Sequence, residues 1–439
     1  MCSGQRRGRC RAWSRCRLPG APVPTGPRPL ARQGTGDGLT TRCLGDSSYD
    51  FAIVGAGVAG LVLAWLLSES RVADGAVLLV DGARDDDELR TLSFWSTGST
   101  ALEPLVAHRW STLRVHSDGE THDVPLLEHT YRTLFFADLQ RQVKARLARH
   151  PGSRVVEGRL DSLVQDAEGV TLTVGREGYR ARWVFDSRFY LHDLVVDEDR
   201  YHCLRQYFHG WVVRTRREVF EPAAATLLDF RACEVEGGSG AGIDRGTGFY
   251  YVLPFSPREA LVELVTLRPV DAEPLVRAYL SDVLGVDDVE FVDREAGVSP
   301  MTEQPFGWRE GARVRRIGVA SGRVKASTGY ALTRIVDDCA SIVRSLETDG
   351  HPFVHPTDSR FYRLLDAVLL EIWGARPEEI PGIFAAMFVR NPVDRVLRFL
   401  DERASAVDVV RLILALPKRP FLAATVRWLR RRFGAVLLP

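Results

Sequence analysis

The sequence predicts an α/β fold in which one discontinuous domain is interrupted by an antiparallel sheet and followed by a helical segment. Three observations predict it. The first is a strand, glycine turn and helix unit at Tyr49–Gly60, reading YDFAIVGAGVAG. The second is a pair of later strand-and-turn units, Trp183–Arg188 (WVFDSR) and Arg313–Ala320 (RVRRIGVA). The third is a set of apolar, helix-like stretches near the C-terminus, Val409–Leu416 and Phe421–Leu429.

The first 48 residues differ from the rest. They hold nine Arg and two Asp, four of the seven Cys, and much Gly and Pro. No hydrophobic periodicity or apolar signal core appears, so the expectation is a disordered basic tail or a mis-assigned start. Across the whole chain the charge is nearly balanced, with 58 basic and 57 acidic groups, which excludes nucleic-acid binding driven by bulk charge. No apolar run reaches the roughly 18 residues of a membrane span. The 439 residues are enough for two or three domains and a large core.

Next comes the glycine unit. Phe51–Val54 has the apolar character of a buried strand, and Gly55, Gly57 and Gly60 follow at G-x-G-x-x-G spacing. Gly55 permits a tight turn, Gly57 lets backbone approach a pyrophosphate, and Gly60 allows a helix to pack on the strand. The helix start offers unpaired N–H groups to phosphate. A second strand, Ala76–Val80, leads to Asp81, placed to accept from ribose hydroxyls. This unit predicts dinucleotide binding without separating NAD from FAD. The later returns point to FAD. Trp183–Arg188 ends in a polar turn at Asp186, and Arg313–Ala320 carries Gly318 near its end. The loop Ser321–Tyr330 follows, with Gly322, Lys325, Thr328 and Gly329, before an amphipathic stretch at Ile335–Leu346. Such a loop suits the ribityl and flavin end. The expected core is therefore a discontinuous Rossmann-like FAD-binding domain of the glutathione-reductase-like type.

Further motifs lie in a fixed order. They are Arg90–Trp95 (RTLSFW), Asp186–Arg188, Gln206–Trp211 (QYFHGW), Asp229–Arg231, Tyr250–Phe255 (YYVLPF), Ala260–Glu263 (ALVE), Gly297–Thr302 (GVSPMT) and Lys325–Tyr330 (KASTGY). With the glycine unit, this series resembles the FAD-dependent lycopene cyclases of bacteria and plants along nearly all of Tyr49–Phe433. Three departures stand out. Ala326 replaces a common Pro, Leu264 stands where many members carry a second acid, and Leu92 where an aromatic is frequent.

The resemblance implies an intramolecular cyclisation of lycopene ends to β-rings, giving γ- and β-carotene, with reduced FAD present and NAD(P)H as its reductant. Such a reaction needs an acid that is protonated at neutral pH, which burial or a nearby negative charge provides. Glu263, flanked by Leu261, Val262, Leu264 and Val265, has that environment and aligns with the glutamate implicated in the family. The reaction also needs cation stabilisation by aromatic faces. Phe94, Trp95, Trp110, Phe208, Trp211, Tyr250 and Tyr251 are the candidates, though each also fits an ordinary core position. A C40 hydrocarbon resides in a bilayer. Lys418, Arg419, Arg427 and Arg430–Arg432, interleaved with apolar residues and Trp428 and Phe433, suit a membrane surface or a solvated basic face equally. Glu371–Phe388 suits a tunnel mouth or plain helix packing.

Cys203, Cys233 and Cys339 form no CxxC pair, and no metal-ligand spacing occurs, so a reducing, cytoplasmic protein without a structural metal is expected. The bilayer substrate that the resemblance implies adds peripheral association with the inner face of the membrane. Asp85–Glu88 reads as a solvated loop. The expected organisation is a tail (1–48), the first part of the FAD domain (49–190), a substrate domain (191–295), the second FAD part (296–350) and a helical, membrane-associating segment (351–439). A prenyl-chain reductase, a hydroxylase and a non-enzymatic carotenoid-binding flavoprotein are the competing functions. Gly318-Val319 lacks the acid that hydroxylases place there.

Overall fold

The computed structural model describes residues 42–82, 89–117, 119–234, 243–356 and 359–437. The tail before residue 42, Asp85–Glu88 and the side chains of Cys233 and Phe433 lie outside the described part.

In chain order the first half comprises β1 (Arg42–Val54), α1 (Val58–Ser68), β2 (Val77–Asp81), β3 (Thr91–Ser96), β4 (Val106–Trp110), β5 (Thr112–Ser117) and β6 (Glu120–Pro125). It continues with β7 (Thr130–Phe135), α2 (Phe136–Arg149), β8 (Arg154–Glu157), β9 (Leu160–Gln165), β10 (Val170–Val174) and β11 (Glu177–Asp186). The second half opens with β12 (Leu204–Thr215), β13 (Ala224–Asp229), α3 (Arg231–Glu234), β14 (Gly248–Ser256), β15 (Glu259–Thr266), α4 (Ala272–Ala278) and β16 (Val289–Met301). Then come β17 (Arg309–Glu310), β18 (Val314–Arg316), α5 (Leu332–Asp349), α6 (Arg360–Ala375), α7 (Ile380–Val389), α8 (Val393–Leu400), α9 (Ala406–Ala415) and α10 (Lys418–Leu437).

The first sheet has the path β17-β18-β11-β1-β2-β8, with β10 and β9 extending from β11. β1 is parallel to both β2 and β11, and β18 is parallel to β11. Ile53, Leu79 and Phe185 face a core shared with α1, α2 and α5, whereas Ala52, Val54, Leu78 and Val184 face a second core. Burial on both faces is why these strands read as unbroken apolar runs. The chain leaves this sheet after β11 and rejoins it only at β17–β18, so the domain is discontinuous, as the sequence predicts.

The second sheet has the order β16-β12-β15-β14-β13-β5-β6. Its strands come from Leu204–Met301 and also from Thr112–Pro125, so the sheet draws on more of the chain than residues 191–295. A third, small sheet pairs β3, β7 and β4. One face of the second sheet packs, through Tyr251 and Leu261, against Trp95 and Tyr131 of the small sheet and against α6–α9. Its other face packs on α4 and the turn of π-helix that follows, through Val276, Tyr279 and Leu280. Trp373, Phe384, Met387 and Phe388 are all buried in the first of these cores.

Candidate active site: a cleft backed by a carboxyl pair

The glycine turn joins β1 to α1. Gly55 has φ +98°, and its N–H donates to Val80 O, which fixes the turn to β2. A Cβ on Gly60 would lie 2.1 Å from Gly55 O, so helix and turn meet there only without a side chain. At Gly57, which precedes the helix, a Cβ would meet nothing within 4 Å. No side chain caps the start of α1. Its first-turn N–H groups therefore remain available to an anion.

These residues form one wall of a cleft of about 760 Å³. Asp81 and Gly82 at the end of β2, Ser187 and Arg188 after β11, and Val319 line it too. Asp81 is paired with Lys144 of α2 at 3.0 Å. The glycine turn, the helix start, the acid and the volume fit an FAD molecule. Gly318 packs where α1 begins. Its φ is +67°, and a Cβ there would stand 2.5 Å from Ala59 Cβ.

Other residues expected at the cofactor are placed differently. The Asp186 carboxylate accepts from the backbone N–H and guanidinium of Arg188, closing its own turn rather than facing the cleft. Lys325 is buried and paired with Asp366 and Glu402 at 2.8 and 3.0 Å. It ties its turn to α6 and the loop after α8, which leaves it no reach toward the cleft. Gly322 borders a separate polar pocket with Phe306, while Thr328 Oγ1 accepts from the Tyr330 N–H and Gly329 N–H donates to Lys325 O within a tight turn.

The inner end of the cleft is lined by Arg90, Leu92, Val298 and Ala331. These flank Thr91, Tyr330 and the strand carrying Glu295. Behind these strands, and outside the residues that line the cleft, the second sheet carries Glu263. Gly210 of β12 pairs with Glu263 of β15 and with Glu295 of β16, and Glu263 pairs with Tyr251 of β14. Residues directly opposite in antiparallel strands point to the same face. Glu295, Gly210, Glu263 and Tyr251 thus form one row on one face.

Gly210 sits between the two glutamates. A Cβ on it would come within 3.1 Å of Glu295 Cγ and 3.3 Å of Glu263 Cβ, so its missing side chain lets the carboxyl groups meet and hydrogen-bond. Thr91 donates to Glu295 from its backbone N–H at 2.6 Å and from Oγ1 at 2.8 Å. Glu263 lies deep inside the protein and keeps a little accessible surface. Burial first, and the Glu295 charge second, hold its carboxyl well above the usual carboxylate range. Burial also pushes Glu295 up to about 7, against the lowering effect of the Thr91 donors.

Aromatic side chains surround this pair. Tyr131 OH lies 2.6 Å from Tyr251 OH and 3.2 Å from Tyr330 OH. Trp95 stacks near Tyr131, meets Tyr330 edge-on at 5.0 Å, and donates from Nε1 to Asp401 at 2.8 Å. Trp110 apart, three of the seven aromatic candidates, Trp95, Tyr251 and Phe208, stand on the Glu263 side. Phe208 pairs with Val265, two residues from Glu263. The other three do not. Phe94 faces the core of α1 and α5, Trp211 faces Phe291, and Tyr250 stacks on Tyr279 at 3.9 Å. The reason is the two-residue period of a strand, because neighbours such as Tyr250 and Tyr251 must point to opposite faces. Trp110 is buried beside Tyr131 and donates to Pro254 O.

Sequence reasoning missed Glu295, Thr91, Tyr131 and Tyr330 as functional residues. One signal was available: a lone glycine within the bulky strand Tyr207–Val213 marks a close approach. The acid that adjoins Glu263 comes from another strand, not from the next position, where Leu264 stands.

In solved structures the fold has many counterparts. It is similar to the flavin-dependent brominase Bmp2 (14% identity, TM-score 0.56, covering 88% of this chain and 100% of that one). It is equally similar to a flavoprotein/dehydrogenase from Cytophaga hutchinsonii (12% identity, TM-score 0.56, 88% and 100%). The halogenase PltM is another likeness, with 11% identity, TM-score 0.51 and coverage of 89% and 97%. At these identities the likeness is one of fold. No curated protein matches the chain. The family model described as "Lycopene cyclase protein" matches residues 50–426. With the cleft, the buried glutamate and most of the chain covered by that match, the protein belongs to the lycopene cyclase family.

Proposed function

We propose that this protein is a lycopene β-cyclase that closes ψ-ends of lycopene by acid-initiated, redox-neutral cyclisation. One observation carries the reading: a buried carboxyl group, Glu263, set beside Glu295 among aromatic faces, where burial raises its proton affinity. In the reaction, the Glu263 O–H breaks and a C–H bond forms at a terminal double bond. The resulting tertiary cation is attacked by a second double bond of the same chain, which closes the ring. A ring C–H bond then breaks and its proton returns to the carboxylate left on Glu263, so no electrons are gained or lost overall. Trp95, Tyr131 and Tyr330 offer ring faces, each contributing roughly 0.5–2 kcal/mol toward a cation. They present few nucleophiles to trap it, because the tyrosine hydroxyls are engaged with one another.

The glycine turn with the start of α1 would hold the FAD pyrophosphate, and Asp81 the ribose. When bound and reduced, the flavin supplies negative charge that stabilises a nearby cation. NAD(P)H serves only to keep it reduced. For access to a bilayer substrate we propose peripheral binding at the cytoplasmic membrane face. Leu414, Leu422, Val426 and Leu429 are exposed on α9 and α10, with Arg411, Arg419 and Arg430 nearby. Among the described residues no helix is long and apolar enough to cross a membrane.

The test is expression of the full chain and of Glu263→Gln in a lycopene-accumulating bacterium, followed by pigment analysis. β-Carotene or its one-ring intermediate from the first, and unchanged lycopene from the second, is the expected outcome. Saturated products would establish a reductase instead. Unaltered lycopene bound equally by both proteins would establish a carrier.

A further inference from the structure

We infer that Glu295, fixed by Thr91, is a positioning residue that assigns the single proton of a two-carboxyl pair to Glu263. The inference deepens the cyclase reading and rests on it for its chemical meaning. Three features of the geometry carry it.

First, the pairing register brings the two carboxyl groups onto one face across a residue that has no side chain. Nothing separates them, and a hydrogen bond between two carboxyl groups needs one proton. Second, both Glu295 oxygens accept from Thr91, one from its backbone N–H, which can only donate. A carboxyl group that receives two donors is stabilised in its ionised form. Third, Thr91 supplies no such donor to Glu263. The proton between the groups therefore sits on Glu263, the member that receives neither Thr91 donor.

The groups facing this pair come from several strands. Tyr251 on β14 and Tyr330 in the turn before α5 face Glu263, and burial keeps both phenols neutral. Asp293, two residues earlier on β16, adds to the negative field at Glu295. Gly210 on β12 contributes no charge. The arrangement gives Glu263 its proton at neutral pH and leaves a carboxylate beside it. When Glu263 gives up the proton to the alkene carbon, the pair carries two negative charges facing a cation. As the ring C–H bond breaks, its proton passes back to the pair, which therefore begins and ends each ring with one proton.

The test uses the FAD-loaded full chain in lipid vesicles containing lycopene, with two readouts. In the first, kcat/KM is measured against pH. Glu295→Gln removes the neighbouring charge but keeps a hydrogen-bonding group, so the alkaline limb moves toward acid by about one pH unit. That is roughly a tenfold loss at pH values above the limb, recovered on acidification. Thr91→Val removes one donor, lets the proton shift toward Glu295, and lowers the rate roughly tenfold. If Glu295 served packing alone, both variants would lower the rate equally at every pH, and the assignment would be overturned.

In the second readout, infrared spectroscopy follows the carbonyl band of a protonated buried acid. The band is expected in the unmodified protein at neutral pH, to be absent in Glu263→Gln, and to titrate at lower pH in Glu295→Gln. A band that Glu263→Gln leaves unchanged overturns the assignment. This readout does not depend on turnover. A protein with the expected band but no cyclised product would refute the cyclase reading while supporting the proton placement. Should Glu295→Gln fail to fold, Thr91→Val and Glu263→Gln still decide the matter.

Discussion

Substituting Gly210 by alanine tests the core of this site. The added methyl would come within 2.9 Å of Leu261 Cδ1, 3.1 Å of Glu295 Cγ and 3.3 Å of Glu263 Cβ. β12 is held on both sides by long ladders to β15 and β16, so the backbone cannot retreat from these contacts. The side chains must yield by a few tenths of an ångström, and overpacking of that kind costs about 1–3 kcal/mol. The same wedge parts the two carboxyl groups. Glu263 then loses both its hydrogen bond and part of the charge that raises its proton affinity. Gly210→Ala is expected to lower stability to urea by about 1–3 kcal/mol and to move the alkaline limb of activity toward acid. Urea titration and a pH–rate profile measure the two effects. Full stability with an unchanged profile would refute the geometry argued here. Lost stability with an unchanged profile would leave Gly210 a packing residue and sever it from the acid.

Three further predictions concern other parts of the molecule. Gly318→Ala forces a side chain into the left-handed region and against Ala59, so it should lower the flavin content of the purified protein, read by absorbance. Full flavin loading would show that the start of α1 does not depend on this contact. Glu263 and Glu295 both have folded-state pKa values raised above the ordinary 4.5. Their contribution to stability is complete below that value and is lost as pH rises through about 7 and beyond. The stability difference between the unmodified protein and a Glu263→Gln/Glu295→Gln double variant should therefore decline from pH 5 to pH 8 in urea titrations, and a flat difference contradicts the burial argument. Replacing Leu422 and Leu414, both 66% exposed, by serine should weaken sedimentation with anionic vesicles roughly tenfold without altering the fold. Equal sedimentation would remove these helices from any membrane surface.

The sequence revealed local chemistry well. Gly55, Gly57, Gly60 and Asp81 are legible because a glycine turn between strand and helix is a contiguous unit with a fixed physical task. The return at Arg313–Ala320 is legible for the same reason. Lys325 shows the limit. A lysine in a glycine loop suggests an anion, but its true partners, Asp366 and Glu402, lie 41 and 77 residues away. The aromatic residues show another. YY at 250–251 and FW at 94–95 each place one ring at the site and one away from it, and composition cannot say which. Only the pairing register decides that, since a shift of one residue exchanges the two faces.

What the sequence determined by itself was the fold class, the glycine turn between strand and helix, and the one acid set in an apolar strand. These follow from short-range spacing and from the period of burial. The tertiary structure alone decided how that acid is tuned. Glu263, Glu295 and Thr91 lie on three strands far apart in the chain, and their proton affinities depend on who stands opposite whom. The interaction of two carboxyl groups varies steeply with distance in a medium that screens little. The register of β12 against β15 and β16, with no side chain at Gly210, sets that distance.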